Sequence, residues 1–414
     1  MSVAPAITRA DLPARAVVIT VAGHFGAAFA ALCMPPFYAQ ILQSSFSGQA
    51  PSAALAGWYF TLPTLAAAIA NPAWGRLGDR IGKRASLIRA HGGLCLSFII
   101  TGLARTPFEF AVGLTLQGVL GGTFSASNAF LAERLPAPRL AALLGVMQAS
   151  ARTALFAGPA LIGILSGRTD LLTLFLYLAL FPGLACVALY LLPDRLLPDR
   201  LLPGRGTADA ATIDVDHRPP APTPADADAA AIAACGMRAV SLYWLQALFA
   251  VGTVLSYPYF VTDLAERLEI GAATAGLLFG LPHALFLLLA WPLGRRLQAS
   301  GARVSLGRYA AVTCAGLLLQ ALATSLAVMV AGRIVMGIGM TGAYLAINTL
   351  AAASSHAARA GSHFGRLEGA NKWGAVCAGL LASVLAPTLG YAAPLWLSAA
   401  LVATVFISLK WKLL

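Results

Sequence analysis

The sequence predicts an all-α integral membrane protein, with 12 transmembrane helices arranged as two parallel six-helix repeats. Among its 414 residues, 59% are hydrophobic and only 11% are charged, whereas a soluble domain contains about 25% charged residues. The mean hydropathy of +0.78 excludes a disordered chain, because disorder requires low hydrophobicity. Apolar runs of about 20 residues recur along the chain, and each is long enough for a helix to cross a bilayer.

Twelve apolar segments have the length that a membrane helix needs, about 20 residues. A β-barrel is excluded because its strands alternate apolar and polar residues over about ten positions. The segment 304–353 is nearly continuous, and we divide it into two spans by length. The predicted spans are residues 15–42, 52–74, 86–104, 108–132, 140–167, 171–192, 239–262, 271–293, 304–327, 328–353, 364–388 and 391–409.

The positively charged residues orient these spans. The chain has 28 Lys and Arg against 16 Asp and Glu, a net charge of +12. With the N-terminus in the cytoplasm, 22 of the 28 cations lie on cytoplasmic loops and ends, and only Arg105, Arg168 and Arg267 lie outside. This bias is the one that cytoplasmic loops show. We therefore predict a multi-pass plasma-membrane protein (bacterial inner membrane) with both termini cytoplasmic and no nucleic-acid partner.

Residues 193–236 interrupt the series of spans. The stretch 191–205 repeats the pentad Leu-Leu-Pro-Asp-Arg, and its prolines exclude a regular helix. We interpret 193–236 as a cytoplasmic linker between an N-terminal six-helix bundle, residues 1–192, and a C-terminal six-helix bundle, residues 237–414. The alternative is that the repeat binds lipid or a partner.

Several classes of function are excluded by missing motifs. The six cysteines are scattered without Cys/His ligand spacing, so we expect neither a metal site nor a disulfide framework. No nucleophile–base spacing and no Walker-type phosphate loop occurs, so we expect no enzyme, no cofactor and no ATP-driven transport. A receptor or scaffold would need a large soluble domain, which no loop provides. The first apolar run is too long for a cleaved signal peptide. We expect a monomer surrounded by membrane lipid.

The two halves of the chain resemble each other at a nearly constant offset. At 219 residues, Phe60-Thr-Leu-Pro63 aligns with Phe279-Gly-Leu-Pro282. A constant offset across several spans indicates a parallel duplication, which is a transporter architecture with its substrate site between the halves. Further pairs at offsets of 219 to 222 are Gly75 with Gly294, Asn128 with Asn348, Arg152 with Lys372, and Pro36 with Pro258.

The loop after the second span carries a motif, Gly75-Arg-Leu-Gly-Asp-Arg-Ile-Gly-Lys-Arg84. Its glycines permit a tight turn, and Asp79 can approach a helix N-terminus or the neighbouring cations. The motif resembles the loop signature of the major facilitator superfamily, and the resemblance extends over nearly the whole chain through the spans and the repeat. It implies a conformational loop on the cytoplasmic side, formed by Gly75, Gly78, Asp79, Arg80, Gly82 and Arg84.

The fifth span resembles the glycine-proline signature of the drug:proton antiporter (efflux) branch of that superfamily. Ala154 and Ile162 depart from the usual small residues, and Leu114 replaces the fourth-span arginine of that branch. The resemblance implies export coupled to protons, without a fourth-span relay. An importer of an anionic nutrient or siderophore on the same fold is the alternative. The residues expected to pack closely between the halves are Gly145, Gly158, Pro159, Gly163 and Gly167.

Charged side chains inside the spans form the candidate site. A charge at mid-membrane costs about 2.5–3.5 kcal/mol on insertion scales, so each needs a reason. Glu368 lies one turn before Lys372, so their side chains share a helix face. We predict that Glu368 exchanges protons, with His24 as a second carrier because histidine titrates near neutral pH. The alternatives are that Glu368 only pairs with Lys372 or Arg152, and that His24 only packs.

Three cations and one deep acid leave the spans with a net positive charge. This balance suits a small anionic or zwitterionic solute, siderophore- or drug-like, better than a lipophilic cation. We predict proton-coupled export by rocking of the two halves, with Tyr38 along the wet pathway and His283 as a weaker candidate. The predicted substrate-binding residues are Arg152, Lys372, Arg333, Asn128, Asn348, Gln117, Tyr257 and Tyr344.

Overall fold

The computed structural model describes residues 12–46, 55–193, 237–354 and 360–411. The predicted linker and its proline repeat lie almost entirely outside these ranges. The described helices form the twelve predicted spans. In chain order these are Ala14–Cys33 with Pro35–Phe37 and Tyr38–Ser44; Ala56–Ile81; Lys83–Gly102; Pro107–Leu120 with Thr123–Ala132; Ala137–Leu165; Leu171–Tyr190; Ala239–Val254 with Tyr257–Tyr259 and Phe260–Leu268; Ala272–Ser300; Ala302–Ala321; Leu326–Ala353; Ala360–Leu389; and Ala393–Lys410.

Nine of the spans in the described part of the chain are long and apolar enough to cross a membrane on these criteria alone. The second, fourth and fifth spans are not among them. Their positions in the bundle identify them, because the second packs against the fourth and eleventh, and the fifth packs against the first and eighth. The predicted cut between the ninth and tenth spans falls a few residues late, since the turn begins at Leu322.

The first and seventh spans are both interrupted by a 3-10 turn, Pro35–Phe37 in one and Tyr257–Tyr259 in the other. Proline has no N–H and cannot continue the hydrogen-bond ladder of a helix. The internal repeat aligns Pro36 with Pro258, so the same break occurs at the same place in both halves. The two turns contact each other, which places both breaks at the boundary between the halves.

The fourth span is broken near its middle, although the sequence predicts one helix over 108–132. The chain leaves the helix at Gly121 and Gly122, and Gly122 takes a left-handed φ of +84°, which glycine adopts without steric cost. The guanidinium of Arg89 on the third span donates to the carbonyls of Leu120 at 2.6 Å and Gly121 at 3.2 Å. Arg89 thus satisfies main-chain groups that the break exposes.

The side of the bundle that carries the Gly75–Arg84 loop is called the loop face, and the opposite side the far face. Near the far face the fifth span packs antiparallel against the eighth. A Cβ added at Gly276 would clash with the carbonyl oxygen of Pro159, and one added at Gly163 with that of Ala272. These positions require glycine because main-chain atoms occupy the space of a side chain.

The second and eleventh spans make a matching contact near the far face. A Cβ added at Gly57 would lie 2.5 Å from the carbonyl oxygen of Gly379. The N–H of Gly57 also donates to the hydroxyl of Tyr259 on the seventh span, at 3.1 Å. The two halves are therefore joined at the far face by two close helix pairs.

The contacts between the halves stop before the loop face. On the fifth, eighth and eleventh spans, glycines nearer the loop face have open space beside them. From these open positions we infer a cavity between the halves that opens toward the loop face. An added Cβ would meet no atom of the described residues within 4 Å at Gly145, Gly294, Gly365 or Gly369.

Candidate functional site

Five spans bring polar side chains together where the contact between the halves ends and the cavity begins. Near the last close contact, a Cβ added at Gly280 would lie 2.5 Å from the carbonyl oxygen of Phe156. Arg152 lies four residues before Phe156 and His283 three residues after Gly280, both toward the loop face. The set, here named the central cluster, consists of Arg152, Tyr257, His283, Tyr344, Glu368 and Lys372.

A chain of hydrogen bonds crosses from the N-terminal to the C-terminal half. The guanidinium NH1 of Arg152 lies 3.2 Å from Nδ1 of His283, and Nε2 of His283 lies 3.2 Å from the hydroxyl of Tyr257. Arginine has no acceptor, so Nδ1 of His283 must accept. The ring proton is then on Nε2, which donates to Tyr257. The arrangement fixes one tautomer of a neutral imidazole.

The guanidinium of Arg152 also lies over two aromatic rings. Its Cζ is 4.5 Å from the ring centroid of Phe286 and 5.2 Å from that of Tyr344, distances at which cation–π attraction acts. Tyr344 is itself positioned by Thr253, whose Oγ1 lies 3.3 Å from its hydroxyl. Among the described residues only His283 accepts from Arg152. Several of its N–H groups therefore remain able to bind an anion.

Glu368 and Lys372 lie one turn apart on the eleventh span, and both side chains are exposed. Glu368 interacts electrostatically with Lys372 and with Arg152. It forms no direct ion pair with either cation in the described part of the chain. The carboxylate is therefore placed between two positive charges and remains accessible to water and to a ligand.

Arg333 lies outside the central cluster. It is only 1% exposed, its Nε donates to the carbonyl of Leu278 at 2.8 Å, and its second terminal nitrogen donates to that of Phe279. Pro282 lacks the N–H that would otherwise bond to Leu278, so Arg333 satisfies the carbonyl that the proline releases. This geometry supports a bracing role, rather than the predicted contact with substrate. Asn348, on the same span, is exposed nearer the loop face.

His24, Asn128 and Gln117 also lie outside the central cluster, in the N-terminal bundle. His24 and Gln117 are buried, and Oδ1 of Asn128 is buried without a hydrogen-bond partner among the described residues. The expectation that Tyr38 lines a wet pathway is wrong. Its side chain is 1% exposed and packs edge-on against Phe110 at 5.7 Å.

The predicted conformational loop forms a tight turn between the second and third spans. The second span ends at Gly82, which takes a φ of +93°. Asp79 pairs with Lys83 across the turn. The guanidinium of Arg84 donates to the carbonyl of Leu189 at 3.1 Å, which ties the loop to the end of the sixth span.

Of the predicted packing residues in the fifth span, Gly158, Pro159 and Gly163 lie in close contacts. A Cβ added at Gly158 would lie 2.6 Å from that of Cys33 on the first span. Gly145 and Gly167 have no comparably close neighbour among the described residues. The packing role of Gly145 is therefore not realised in a conformation that is open toward the loop face.

Three polar residues of the interior were missed or undervalued from the sequence. His283 is the centre of the link between the halves. Nε2 of Gln246 donates to Oδ1 of Asn371 at 2.8 Å, so Asn371 also faces the interior. His91 is 0% exposed in the third span. An ionisable residue inside a span is a functional candidate in itself, and this signal would have identified His91.

Comparisons with known proteins agree with this architecture. The family model described as Major Facilitator Superfamily matches residues 17–245 and 242–414. The Staphyloferrin B transporter of Staphylococcus aureus (strain NCTC 8325 / PS 47) is 31% identical over 125 residues, 30% of each chain. Multidrug resistance protein MdtG of Salmonella paratyphi C (strain RKS4594) is 31% identical over 163 residues, 39% of this chain and 40% of that protein. The chain thus matches less than half the length of these relatives.

The crystal structure of the human organic anion transporter MFSD10 (TETRAN) superposes with a TM-score of 0.65 at 17% sequence identity. The match covers 95% of this chain and 99% of that chain. At this identity the likeness concerns the fold, and it extends over nearly the whole bundle.

Proposed function

This chain belongs to the Major Facilitator Superfamily, and on that premise we propose that it exports a small zwitterionic, carboxylate-bearing solute in exchange for protons. Members of this family are multi-pass membrane transporters of small solutes and are not enzymes. The side on which Lys and Arg concentrate is the loop face, so the cavity opens to the cytoplasm under the positive-inside rule.

One observation carries the substrate class. Arg152 and Lys372 lie beside the cavity, and the acid Glu368 interacts electrostatically with both, without a direct ion pair to either among the described residues. A guanidinium presents a planar fork that matches a carboxylate, and most of the N–H groups of Arg152 have no acceptor in the described part of the chain. A solute carboxylate at Arg152 and Lys372 accounts for two charges that are otherwise costly inside a membrane.

Exchange requires that the solute and the proton exclude each other. A cationic group on the solute and a proton would both neutralise the Glu368 carboxylate, so only one can do so at a time. Coupling between two ligands is reciprocal: bound solute disfavours protonation, and protonation releases solute. A zwitterion with its carboxylate at Arg152 and its cationic group at Glu368 therefore gives proton-driven export.

A second candidate follows from the same geometry. For a pure anion, protonation of Glu368 removes a repulsive charge and leaves Arg152 and Lys372 free to bind. Proton and anion would then favour each other and move in the same direction, which is import by symport. The relatives named Staphyloferrin B transporter and Multidrug resistance protein MdtG support a siderophore- or drug-like solute, and the fifth-span signature favours export.

Comparative metabolite profiling tests the proposal. Deletion and overexpressing cells are grown in iron-poor and iron-rich media, and small acids and zwitterions are quantified in cells and medium. We expect a zwitterion that accumulates inside the deletion strain and falls outside it. A pure anion that remains in the medium of the deletion strain would establish the importer instead.

A further inference from the structure

Two histidines are buried together in the N-terminal bundle, away from the central cluster. His24 of the first span is 2% exposed and His91 of the third span is 0% exposed. The ring of His91 lies against Gly23, where an added Cβ would be 3.3 Å from both Cε1 and Nε2. The two imidazoles interact electrostatically. They therefore lie near each other inside one six-helix unit.

No side chain of the described residues hydrogen-bonds any of the four ring nitrogens, and the one main-chain group that interacts with either ring is that of Met147, beside His24. A neutral imidazole carries one donor and one acceptor, and buried polar groups are almost always satisfied by protein or ordered water. Two buried rings with no side-chain partner are therefore an exception that needs an explanation. Water and a proton between the rings would supply every missing partner.

The fourth span contributes further unsatisfied atoms on the same side. The ring of Phe124 lies 5.2 Å from that of His24. Ser127 and Asn128 follow Phe124 by three and four residues, so they share its helix face. Oγ of Ser127 and Oδ1 of Asn128 are buried without a partner in the part of the chain that the structure describes. Hydroxyl and amide oxygens are the groups that hold an internal water.

The remaining walls of this site carry no charge. The main chain of Met147 on the fifth span accepts weakly from the ring of His24, and Ala185 on the sixth span faces Gly23. Arg89, on the third span, is directed to the break in the fourth span. In the described residues no carboxylate or cation interacts electrostatically with either ring. A proton on this pair would therefore be held by the rings and by water rather than by an acid.

We propose that His24 and His91, with Ser127 and Asn128, form a hydrated site that binds one proton between the two rings. A proton from water bonds to a bare ring nitrogen to give an imidazolium, and it leaves to water by the reverse step. A second proton is opposed because two adjacent imidazolium ions repel, so the pair titrates as one unit. The site deepens the proton coupling proposed above, yet its proton binding can be measured without any substrate.

The aligned positions of the second half hold no histidine, although that half is a repeat of the first. The internal repeat aligns His24 with Gln246 and His91 with Ala310. In the C-terminal half, Gln246 finds a partner in Asn371 at 2.8 Å. The aligned polar position in the C-terminal half is thus filled by an amide with a side-chain partner, whereas the imidazole of His24 has no side-chain partner among the described residues. The asymmetry points to proton binding in the N-terminal half.

Histidine-ring NMR on the full chain tests the site. The purified protein, with ¹⁵N-labelled imidazoles, is placed in lipid nanodiscs and titrated from about pH 8 to about pH 5. His24→Gln and His91→Gln assign the signals. We expect both rings to titrate together, and the midpoint of His24 to move by about one pH unit in His91→Gln. Rings that stay neutral throughout, or midpoints that ignore each other, would overturn the site.

A milder variant covers the case in which His91→Gln does not fold. Ser127→Ala removes one hydroxyl and should also move the titration of the pair. The matched control is Ser97→Ala, because Ser97 is equally buried but its Oγ already donates to the carbonyl of Leu94 at 2.7 Å. Equal curves for the two serine variants would contradict the proposal.

The two proposals fail in different ways. Proton-driven transport by a protein whose His24 and His91 do not titrate would remove this site and leave the proposed function standing. A titrating pair in a protein that moves no solute with protons would do the reverse.

Discussion

The guanidinium NH1 of Arg152 and the Nδ1 of His283 lie 3.2 Å apart, on opposite halves of the molecule. This contact sits between the closed far face and the open cavity. Movement that separates the fifth and eighth spans must break this hydrogen bond, and a ligand that binds Arg152 competes with His283. The substrate site and the contact between the halves therefore share a residue.

Arg152→Lys keeps the positive charge but loses the planar fork that binds a carboxylate through two hydrogen bonds. Because a hydrogen bond to a charged group contributes about 1.5–3 kcal/mol, we expect the apparent affinity for the solute to fall about tenfold or more. Concentration-dependent uptake into inside-out vesicles measures it. Arg105→Lys, at the far face, is the control and should transport normally; equal affinities for the two variants would exclude Arg152 from the site.

Glu368→Gln removes the only carboxylate of the central cluster while preserving its shape. Protons should no longer drive transport, so the stimulation by an imposed pH gradient should be lost, whereas exchange of solute for solute should persist. Both are measured in proteoliposomes. The matched control is Glu266→Gln, an exposed acid of the seventh span. A variant at Glu368 that still responds to the gradient would show that another group carries the coupled proton.

Gly276→Ala places a methyl group against the carbonyl oxygen of Pro159 at the far face. Overpacking costs about 1–3 kcal/mol. The equilibrium between the conformation open to the loop face and the one open to the far face should therefore shift about 5- to 150-fold toward the second. Double electron–electron resonance between spin labels on the fifth and eighth spans measures the change in distance between these spans. Gly294→Ala, on the same helix in open space, should not change it. Identical distances in both variants would show that this contact does not hold the far face closed.

Arg333→Gln should destabilise the protein rather than weaken solute binding. The carbonyls of Leu278 and Phe279 would lose their buried donor, at a cost of about 1–3 kcal/mol each. We expect a lower midpoint in thermal unfolding, with Arg308→Gln, an exposed ninth-span residue, as the control. Unchanged stability together with weaker binding would restore the predicted role of Arg333 as a substrate ligand.

Asp79→Asn should slow transport several-fold without unfolding the protein, because Asp79 pairs with Lys83 at the turn of the loop face. Initial rates and the amount of inserted protein are measured together. Glu133→Gln is the control, since Glu133 is another exposed acid beside a cation on that face. Normal transport by a well-inserted Asp79→Asn protein would remove the loop from the conformational cycle.

The spans follow from the sequence because burial of a helix in lipid depends on length and hydropathy, which a single chain shows directly. The break at Gly121 and Gly122 was not predicted. A pair of glycines is compatible with a continuous helix, and the donation from Arg89 to the exposed carbonyls helps to make the break favourable. That contact joins two spans and has no local signature.

Part of the central cluster was predictable from the sequence, because charged residues inside apolar spans are visible in a single chain. Their charges inside the spans indicate Arg152, Lys372 and Glu368 as candidate site residues, because a charge inside a membrane is energetically costly. The distinction between Arg152 and Arg333 could not be read from the sequence. It depends on which carbonyl Pro282 releases and on which neighbouring helix carries a donor for it, and this is a property of packing.

The contact between the fifth and eighth spans that closes the far face, here called the far-face seal, is formed by main-chain atoms. Side chains added at Gly163 and Gly276 would meet the carbonyl oxygens of Ala272 and Pro159. The central cluster, in contrast, is built from side chains. Every amino acid has the same main-chain atoms, so changes elsewhere along these helices leave the seal intact. Substitutions at cavity residues, selected in nature or in the laboratory, can thus change the transported solute while the far-face seal is retained.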